Sequence, residues 1–467
     1  MFNINTHTPA LVTDDSIISH SQLRTLEKEL LDFIDSCSLV LLVSKNSVGS
    51  IIGYTSFINN GNPILMTDEW GEEELNILII EYEPQYIWSS KDYPLANNKY
   101  VKIYSAFDFV LYERLENVSS LNTEVALLLP TSGSTGNKKF VRITKNNLLS
   151  NTKSIVSYLN LQASDRSITS LPMSYTYGLS VINTHLSVGG SIYVTNHPIL
   201  SKDFWGLLRD SGVTNLNGVP YSYDIFIRLG LLQSSFPNLR FLTQAGGPLS
   251  AKKHQLIAEY CRESKLDFFV MYGQTEATSR MSFLPPEYAI TKVGSIGIPI
   301  PDGSFTIDKS TSELLYQGPN VSIGYATCKD DLGKPDLFKG VLHTGDTAKV
   351  DLDGFYYITG RLSRFIKITG KRVSLDDIQA MLSDKYPHYS FAVVGEDDKI
   401  TVFIECKTES TESCSLSSLI VNYLCERIQV NKRMISVAVI PNIPRNSSGK
   451  ILFKNLKDEK LVDTQKA

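Results

Sequence analysis

Two patterns alternate along residues 1–360. Ser21 to Ile34 (SQLRTLEKELLDFI) carries apolar residues at helical spacing, and SLVLLV at 38–43 follows as a continuous apolar run of strand length. Ser50 to Asn59 includes a helix of mixed character, and PILMT at 63–67 reads as a strand. EELNILIIEYEPQYIWSS repeats helix then strand, as do 145–160 with 167–171 and 202–211 with 213–218. Helix–strand alternation of this kind predicts an α/β fold, with mostly parallel sheet and helices on both faces. From about 293 to 360 the texture changes. GSFTID, SELLYQG, AKVDL and FYYITG are short β-like runs separated by Gly, Asp and Pro, which predicts an antiparallel sheet or small barrel. Past a boundary near Gly360–Arg364 come IKITG, a helix over Ser374–Asp384, the hairpin FAVVG–EDDK–ITVFIEC, a helix at 415–428 and the strand MISVAVI. The expected domains are 1–361, a body of two mostly parallel α/β subdomains plus a small β-rich one, and 362–467, a small α+β C-terminal domain.

Composition narrows the function classes. The 467 residues carry 45 Lys+Arg against 49 Asp+Glu, a formal net charge of −4. That balance argues against a nucleic-acid binder working through a basic field. A hydrophobic share of 42% excludes global disorder, collagen-like sequence and coiled coil. The 6 cysteines include no CxxC pair and no zinc-spaced Cys/His cluster, which reads as free thiols in a reducing compartment. The N-terminus lacks a basic region followed by an apolar stretch, and the longest apolar runs fall short of a membrane span. The expectation is a cytoplasmic protein with no membrane span and no nucleic-acid partner.

The strongest local signal is LLLPTSGSTGNKK at 127–139. An apolar strand runs into small and hydroxyl-bearing residues and then into Lys138 and Lys139. Gly133 and Gly136 let the backbone curl toward a ligand, so that successive N–H groups point inward. The hydroxyls of Ser132, Ser134 and Thr135 can donate to phosphate oxygens, and Lys139 adds charge neutralisation. A Walker A loop is absent. A Ser/Gly linker has similar composition, but the preceding strand favours a ligand loop, since such loops follow strand C-termini in open α/β sheets.

Four more segments add chemistry. FVMYGQTEAT offers Tyr272 to stack on a base, Thr275 to hold a phosphate and Glu276 to bind a hard divalent cation. LHTGDT offers Asp346, which can accept both hydroxyls of a ribose, although a turn Asp has the same local sequence. GRLSRFIKITG supplies Arg361 at the boundary, and PRNSSGK places Lys450 at the end of a loop near the C-terminus. Each of these alone is also what a solvent-exposed residue looks like.

Taken in order, LPTSGSTGNKK, YGQTEAT, HTGDTAKVDLDGFYYITGR, IKITGKRVSLDDI and PRNSSGK closely resemble the AMP-forming adenylating superfamily, which includes acyl-CoA synthetases, peptide-synthetase adenylation domains and luciferase relatives. The resemblance spans nearly the whole chain. It implies ATP-dependent, Mg²⁺-assisted activation of a small carboxylic acid to an acyl-adenylate with release of pyrophosphate. Transfer to a phosphopantetheine thiol of CoA or an acyl carrier protein follows. It further implies that Thr131, Ser132, Gly133, Ser134, Thr135, Gly136 and Lys139 hold the β/γ-phosphates, that Tyr272 stacks on adenine, and that Thr275 contacts the α-phosphate. Glu276 would bind the metal, Asp346 the ribose with Arg361 assisting, and Lys450 would bridge carboxylate and α-phosphate. The C-terminal domain would rotate about Ser363, where the family usually has Asp or Lys. The loop reads Gly136-Asn137-Lys138-Lys139 in place of Gly-x-Pro-Lys, and Asp377 stands where a Glu is usual. The expected acid pocket includes Tyr175, Tyr177 and Gly178 from LPMSYTYGL, Tyr221 from GVPY, and Gly246 and Gly247 from QAGGP. The first of these stretches has no carboxylate to pair with an ammonium, which disfavours an α-amino acid. An adenylating amide synthetase with an amine acceptor, and a non-catalytic nucleotide-binding relative, are the alternatives.

Overall fold

Every residue of the strands Val40–Val43, Ile64–Thr67 and Tyr86–Ser90 is buried. A strand covered on both faces must be apolar at both parities, which is why these segments read as unbroken runs. They lie parallel to one another and to Val125–Pro130. Antiparallel strands then extend both edges, Phe140–Thr144 and Tyr325–Ala326 on one side, Phe109–Arg114 and Tyr100–Ala106 on the other, giving an 8-stranded sheet. The protein is described here by a computed structural model covering residues 2, 4–68, 71–91, 99–116, 123–130, 139–368, 371–406, 411–445 and 451–457.

A second sheet of 9 strands has a parallel centre: Asp267–Tyr272, Phe241–Gln244, Asn215–Gly218, Arg166–Ile168, Ser191–Tyr193 and Pro9–Val12, in that spatial order. Ser282–Leu284 with Ile298–Pro299 at one edge, and Ile17–Ser19 at the other, run antiparallel. Parallel pairing is thus confined to the sheet centres. The edge hairpin 100–114 left no helix–strand alternation to detect.

The two sheets share one core. Val40, Ile64 and Trp88 of the first and Leu11, Ile192 and Val194 on the side of the second belong to a single apolar cluster with the helices Val48–Asn60 and Thr176–Ser187. Ten residues of each helix are buried. A helix enclosed all round has no polar stripe, and this explains the mixed pattern of residues 50–59. Helix His20–Leu31 begins one residue before the expected segment, because Ser19 and Gln22 form a reciprocal capping box.

The β-like runs after residue 300 form a 4-stranded antiparallel sheet of Ser304–Ile307, Glu313–Gln317, Val341–Val350 and Tyr356–Arg361. Beyond it the 3₁₀ turn Leu362–Arg364 leads into the antiparallel pair Phe365–Ile368 and Lys371–Ser374. Helix Leu375–Lys385, the hairpin Ser390–Glu396/Lys399–Glu405, helix Thr411–Ile428 and the strand Ile435–Ile440 complete an α+β unit. Ile366, Ile378, Val393, Val402, Ile420 and Ile435 belong to an apolar cluster drawn entirely from this part of the chain. Among the described residues no helix is long and apolar enough to cross a membrane.

Candidate active site

The motif residues gather at the C-terminal ends of parallel strands, where ligands bind in open α/β sheets. Tyr272 ends Asp267–Tyr272, Gly218 ends Asn215–Gly218, and Ala245–Gly247 follow Phe241–Gln244. Pro130 ends a strand of the other sheet and pairs with Phe140. Thr131, Ser132, Gly133, Ser134, Thr135 and Gly136 lie outside the described residues, as does Lys450.

Asp346 is the hub of one cluster. It faces Arg361 across the antiparallel ladder, and Arg361 Nε donates to its Oδ1 at 2.8 Å. The Tyr272 hydroxyl donates to Oδ2 at 2.5 Å and Gln274 Nε2 at 3.0 Å. Gln274 also reaches the Thr344 carbonyl at 2.9 Å, tying the two motifs together. The Asp346 side chain is 4% exposed against 44% for Arg361, so the pair points its cationic end at solvent. Burial and then the Asp346 charge push the Tyr272 hydroxyl well above its ordinary pKa. For Arg361, burial pulls downward, but the Asp346 charge more than offsets it and raises the guanidinium.

Glu276 heads a second cluster. Thr275 and Glu276 lie on the single turn Thr275–Ala277, and the Tyr325 hydroxyl donates to Glu276 Oε1 at 2.9 Å. Val141 pairs with Tyr325, which brings exposed Lys139 to 5.9 Å from the Tyr325 ring. Burial, then the Glu276 charge, raises the Tyr325 pKa. Fully buried Arg142 braces this edge. Its guanidinium donates to the carbonyls of Asp331 (3.0 Å), Lys334 (2.6 Å), Ile323 (2.7 Å) and Pro335 (2.9 Å), so one side chain fixes the segment that carries Tyr325. No group of three or more His, Cys, Asp or Glu among the described residues could hold a metal. A lone Glu276 suits Mg²⁺, which takes one or two carboxylates and completes its shell with water and phosphate oxygens.

The expected acid-pocket residues form a third group. Tyr175 precedes helix Thr176–Ser187, and its hydroxyl lies 2.5 Å from where a Cβ on Gly246 would stand. Gly246 has φ +84°, so it needs both glycine's freedom and glycine's size. Gly247 lies beside Pro220, next to the half-exposed Tyr221. Tyr177 points inward, 1% exposed, with its hydroxyl 2.5 Å from Thr243 Oγ1. Gly178 is set against the Pro172 carbonyl, which would be 2.2 Å from any Cβ. Ser363 is exposed in the 3₁₀ turn, while its neighbour Arg364 bonds Asp376 and the Val393 carbonyl. The Arg445 guanidinium lies 5.5 Å from the Tyr221 ring centroid, and Arg445 bridges to Ile451. Both residues flanking 446–450 are thereby positioned, with Arg445 against the pocket wall.

Four residues of these clusters escaped sequence reasoning. Gln274 stood inside a recognised motif. Arg142 is a charge in an otherwise apolar strand, a signal that could have marked it. Tyr325 gave no local signal at all, and neither did Arg280, whose guanidinium carbon stands 3.9 Å from the Tyr177 ring centroid in the third group.

Residues 40–326 match the family described as AMP-binding enzyme. Among curated relatives, a 2-succinylbenzoate–CoA ligase of Bacillus cereus (strain Q1) is 30% identical over 72% of this chain and 70% of its own length. Among solved structures, the o-succinylbenzoate CoA synthetase MenE of Bacillus subtilis, in complex with the acyl-adenylate intermediate OSB-AMP, superposes with TM-score 0.76 at 20% identity, covering 97% of this chain and 96% of its own. ATP-bound MatB of Rhodopseudomonas palustris gives TM-score 0.73 at 21% identity, covering 96% and 95%. The chain belongs to the AMP-binding enzyme family.

Proposed function

We propose that the protein activates a carboxylic acid with ATP, forms an acyl-adenylate with release of pyrophosphate, and passes the acyl group to the thiol of CoA with release of AMP. The observation that carries this reading is the convergence of Tyr272, Gln274 and Arg361 on the Asp346 carboxylate beside the strand ends, with Glu276 and Lys139 alongside. Asp346 exchanges its Tyr272 and Gln274 bonds for the ribose hydroxyls, and Tyr272 offers its ring to adenine. Thr131–Lys139 hold the β/γ-phosphates and Thr275 the α-phosphate. Mg²⁺ on Glu276 supplies charge neutralisation for the phosphate oxygens. Two anions must meet in the first step, so positioning and cationic stabilisation carry the catalysis. Lys450 serves that purpose, between carboxylate and α-phosphate.

The unit 362–467 is proposed to turn about Ser363 between the half-reactions, replacing Lys450 by the 366–372 segment. CoA is the acceptor named by the curated relative quoted above, which names no carrier protein. We place the enzyme in the cytoplasm. The test is acid-dependent ATP–pyrophosphate exchange across a broad acid panel, with AMP release on adding CoA. Lys450→Ala is expected to lower exchange about 10²–10³-fold. Absence of exchange with every acid, or full activity in Lys450→Ala, would overturn the reading.

A further inference from the structure

Arg280 lies on the bend between the Thr275–Ala277 turn and strand Ser282–Leu284, and it is 3% exposed. Its guanidinium carbon stands 3.9 Å from the Tyr177 ring centroid. Nη1 donates to Ser279 Oγ at 2.6 Å, and Nε meets Met271 Sδ at 3.4 Å. A guanidinium has five N–H donors in a planar fork. Among the described residues no carboxylate or carbonyl oxygen accepts from the rest. A buried cation without a counter-ion is costly, and proteins bury arginine with a partner.

The surrounding structure nonetheless holds this cation firmly. Asn151 Nδ2 and Asn320 Nδ2 each donate to the Arg280 carbonyl at 2.9 Å, and Arg280 N donates back to Asn151 Oδ1 at 3.3 Å. The ring beneath it is pinned by a buried polar chain through two adjacent strands. Tyr177 bonds Thr243 at 2.5 Å, Thr243 donates to Asn217 at 2.6 Å, and Asn217 donates to Asn215 at 2.9 Å. Asn215 ends the chain on His185 Nε2 at 2.9 Å. Around the guanidinium stand tyrosine hydroxyls. At Tyr158, Tyr175 and Tyr177 the Arg280 charge opposes the upward push of burial on the hydroxyl pKa. Tyr175 in turn touches Gly246 at the end of strand Phe241–Gln244. Arg280 therefore joins the acid-pocket tyrosines to the nucleotide motif that begins at Tyr272.

We propose that Arg280 is the counter-ion for a second carboxylate on the acid, so that the substrate is a dicarboxylic acid. This rests on the acid-activating reading above. One carboxylate reacts at the α-phosphate. The other is held by the guanidinium fork, with the Tyr175 hydroxyl as a further donor. A substrate with one carboxylate leaves Arg280 buried and unpaired, which disfavours its binding.

The test uses the full-length enzyme in pyrophosphate exchange with matched pairs, each a dicarboxylic acid and its own monomethyl ester, on aliphatic and aromatic frames. The diacid is expected to be preferred about 10²-fold in kcat/KM. Arg280→Met is expected to erase that preference by raising the diacid KM about 10²-fold, the cost of removing one partner of a buried hydrogen-bonded charge pair. The monoester kcat/KM should rise, since the variant no longer leaves a buried cation unpaired when a monoester binds. Arg280→Lys, which keeps the charge and loses the fork, should restore part of the preference. Equal or better use of monoesters by the wild-type enzyme overturns the inference even where neither variant folds, and so does an unchanged preference in a folded Arg280→Met. Exchange confined to monocarboxylic acids overturns the inference alone. Exchange with no acid overturns the activity and the inference together.

Discussion

Asp346 and Arg361 face each other across one rung of an antiparallel ladder, whereas Arg280 and Tyr177 meet from a bend and a helix far apart in the chain. The proposed nucleotide side is made of short contiguous motifs: Asp346 and Arg361 pair across a ladder, and Tyr272 and Gln274, from one motif of another sheet, both reach Asp346. The acid side is made of single residues on many elements, aligned by packing and by a polar chain through the sheet. The nucleotide is the same molecule in every member of the family, so local geometry can be reused. The acid differs, and its pocket is set by whichever side chains the fold brings to the strand ends. If this division is real, the two sides respond separately to mutation.

The largest separation is expected from Asp346→Ala. Its carboxylate organises Tyr272, Gln274 and Arg361, so its loss removes the ribose acceptor and releases three side chains. The kcat/KM for ATP should fall about 10²–10³-fold, while the KM for the acid stays within a few-fold. Initial rates with each substrate varied in turn measure both. An acid KM that rises in step with that for ATP would mean the two sides are one unit.

Arg142→Met should come next, and it acts on stability before activity. Four carbonyls lose a guanidinium donor at once, although those of Asp331 and Ile323 keep backbone donors from Lys334 and Leu337 and those of Lys334 and Pro335 are only partly buried. One unsatisfied buried polar group costs about 1–3 kcal/mol, and these carbonyls keep another donor or can rehydrate, so the loss is about 2 kcal/mol in all. Urea unfolding followed by fluorescence reads it as an earlier transition. Because Arg142 fixes the segment carrying Tyr325, the folded variant should also need more Mg²⁺, with acid preference unchanged. A shift in acid preference would show that the brace reaches both sides.

The same contrast explains how much of the molecule was legible from its sequence. Strands such as Val40–Val43 and the C-terminal unit were readable because burial on both faces, or regular alternation, leaves a pattern in consecutive residues. Helix Val48–Asn60 was blurred because it is enclosed between two sheets and has no polar side. Tyr272, Glu276 and Asp346 could be picked out because their motifs are contiguous. Arg280 could not, because what distinguishes it is its setting in three dimensions, a buried guanidinium on which no carboxylate among the described residues closes. Tyr325 was hidden for a related reason: its bond to Glu276 depends on an edge strand of only two residues.

The smallest expected effect is a pH dependence confined to the acid side. His185 is 2% exposed, with Nδ1 2.8 Å from the Val181 carbonyl and Nε2 2.9 Å from Asn215 Nδ2. Asn215 Oδ1 already accepts from Ser167 and Asn217, so its amide nitrogen must face the ring. The ring is then neutral, donating from Nδ1 and accepting at Nε2, and a second proton would set two donors against each other. Burial lowers its pKa from 6.5 to about 4. Because the folded value is the lower one, the unfolded chain binds more protons between these values. The stability contribution is whole above pH 6.5, falls as pH drops, and is gone below about 4. Its full size is about 3 kcal/mol, of which about 1 kcal/mol is lost by pH 5.5. His20 and His254 are also lowered by burial, so the contribution of His185 is read from the difference between wild type and His185→Gln. The variant should show a shallower fall of the urea midpoint between pH 7 and 4.5. In the wild-type enzyme the acid KM should hold steady over most of that range and rise before the ATP KM only as pH approaches 4, where the folded enzyme takes up the proton that breaks the chain ending on Tyr177 and leaves the Asp346 cluster intact. An unchanged slope in His185→Gln would remove His185 as the source. Two KM values rising together would mean that acid and nucleotide sites loosen as one body, and that their separate construction has no consequence for how they fail.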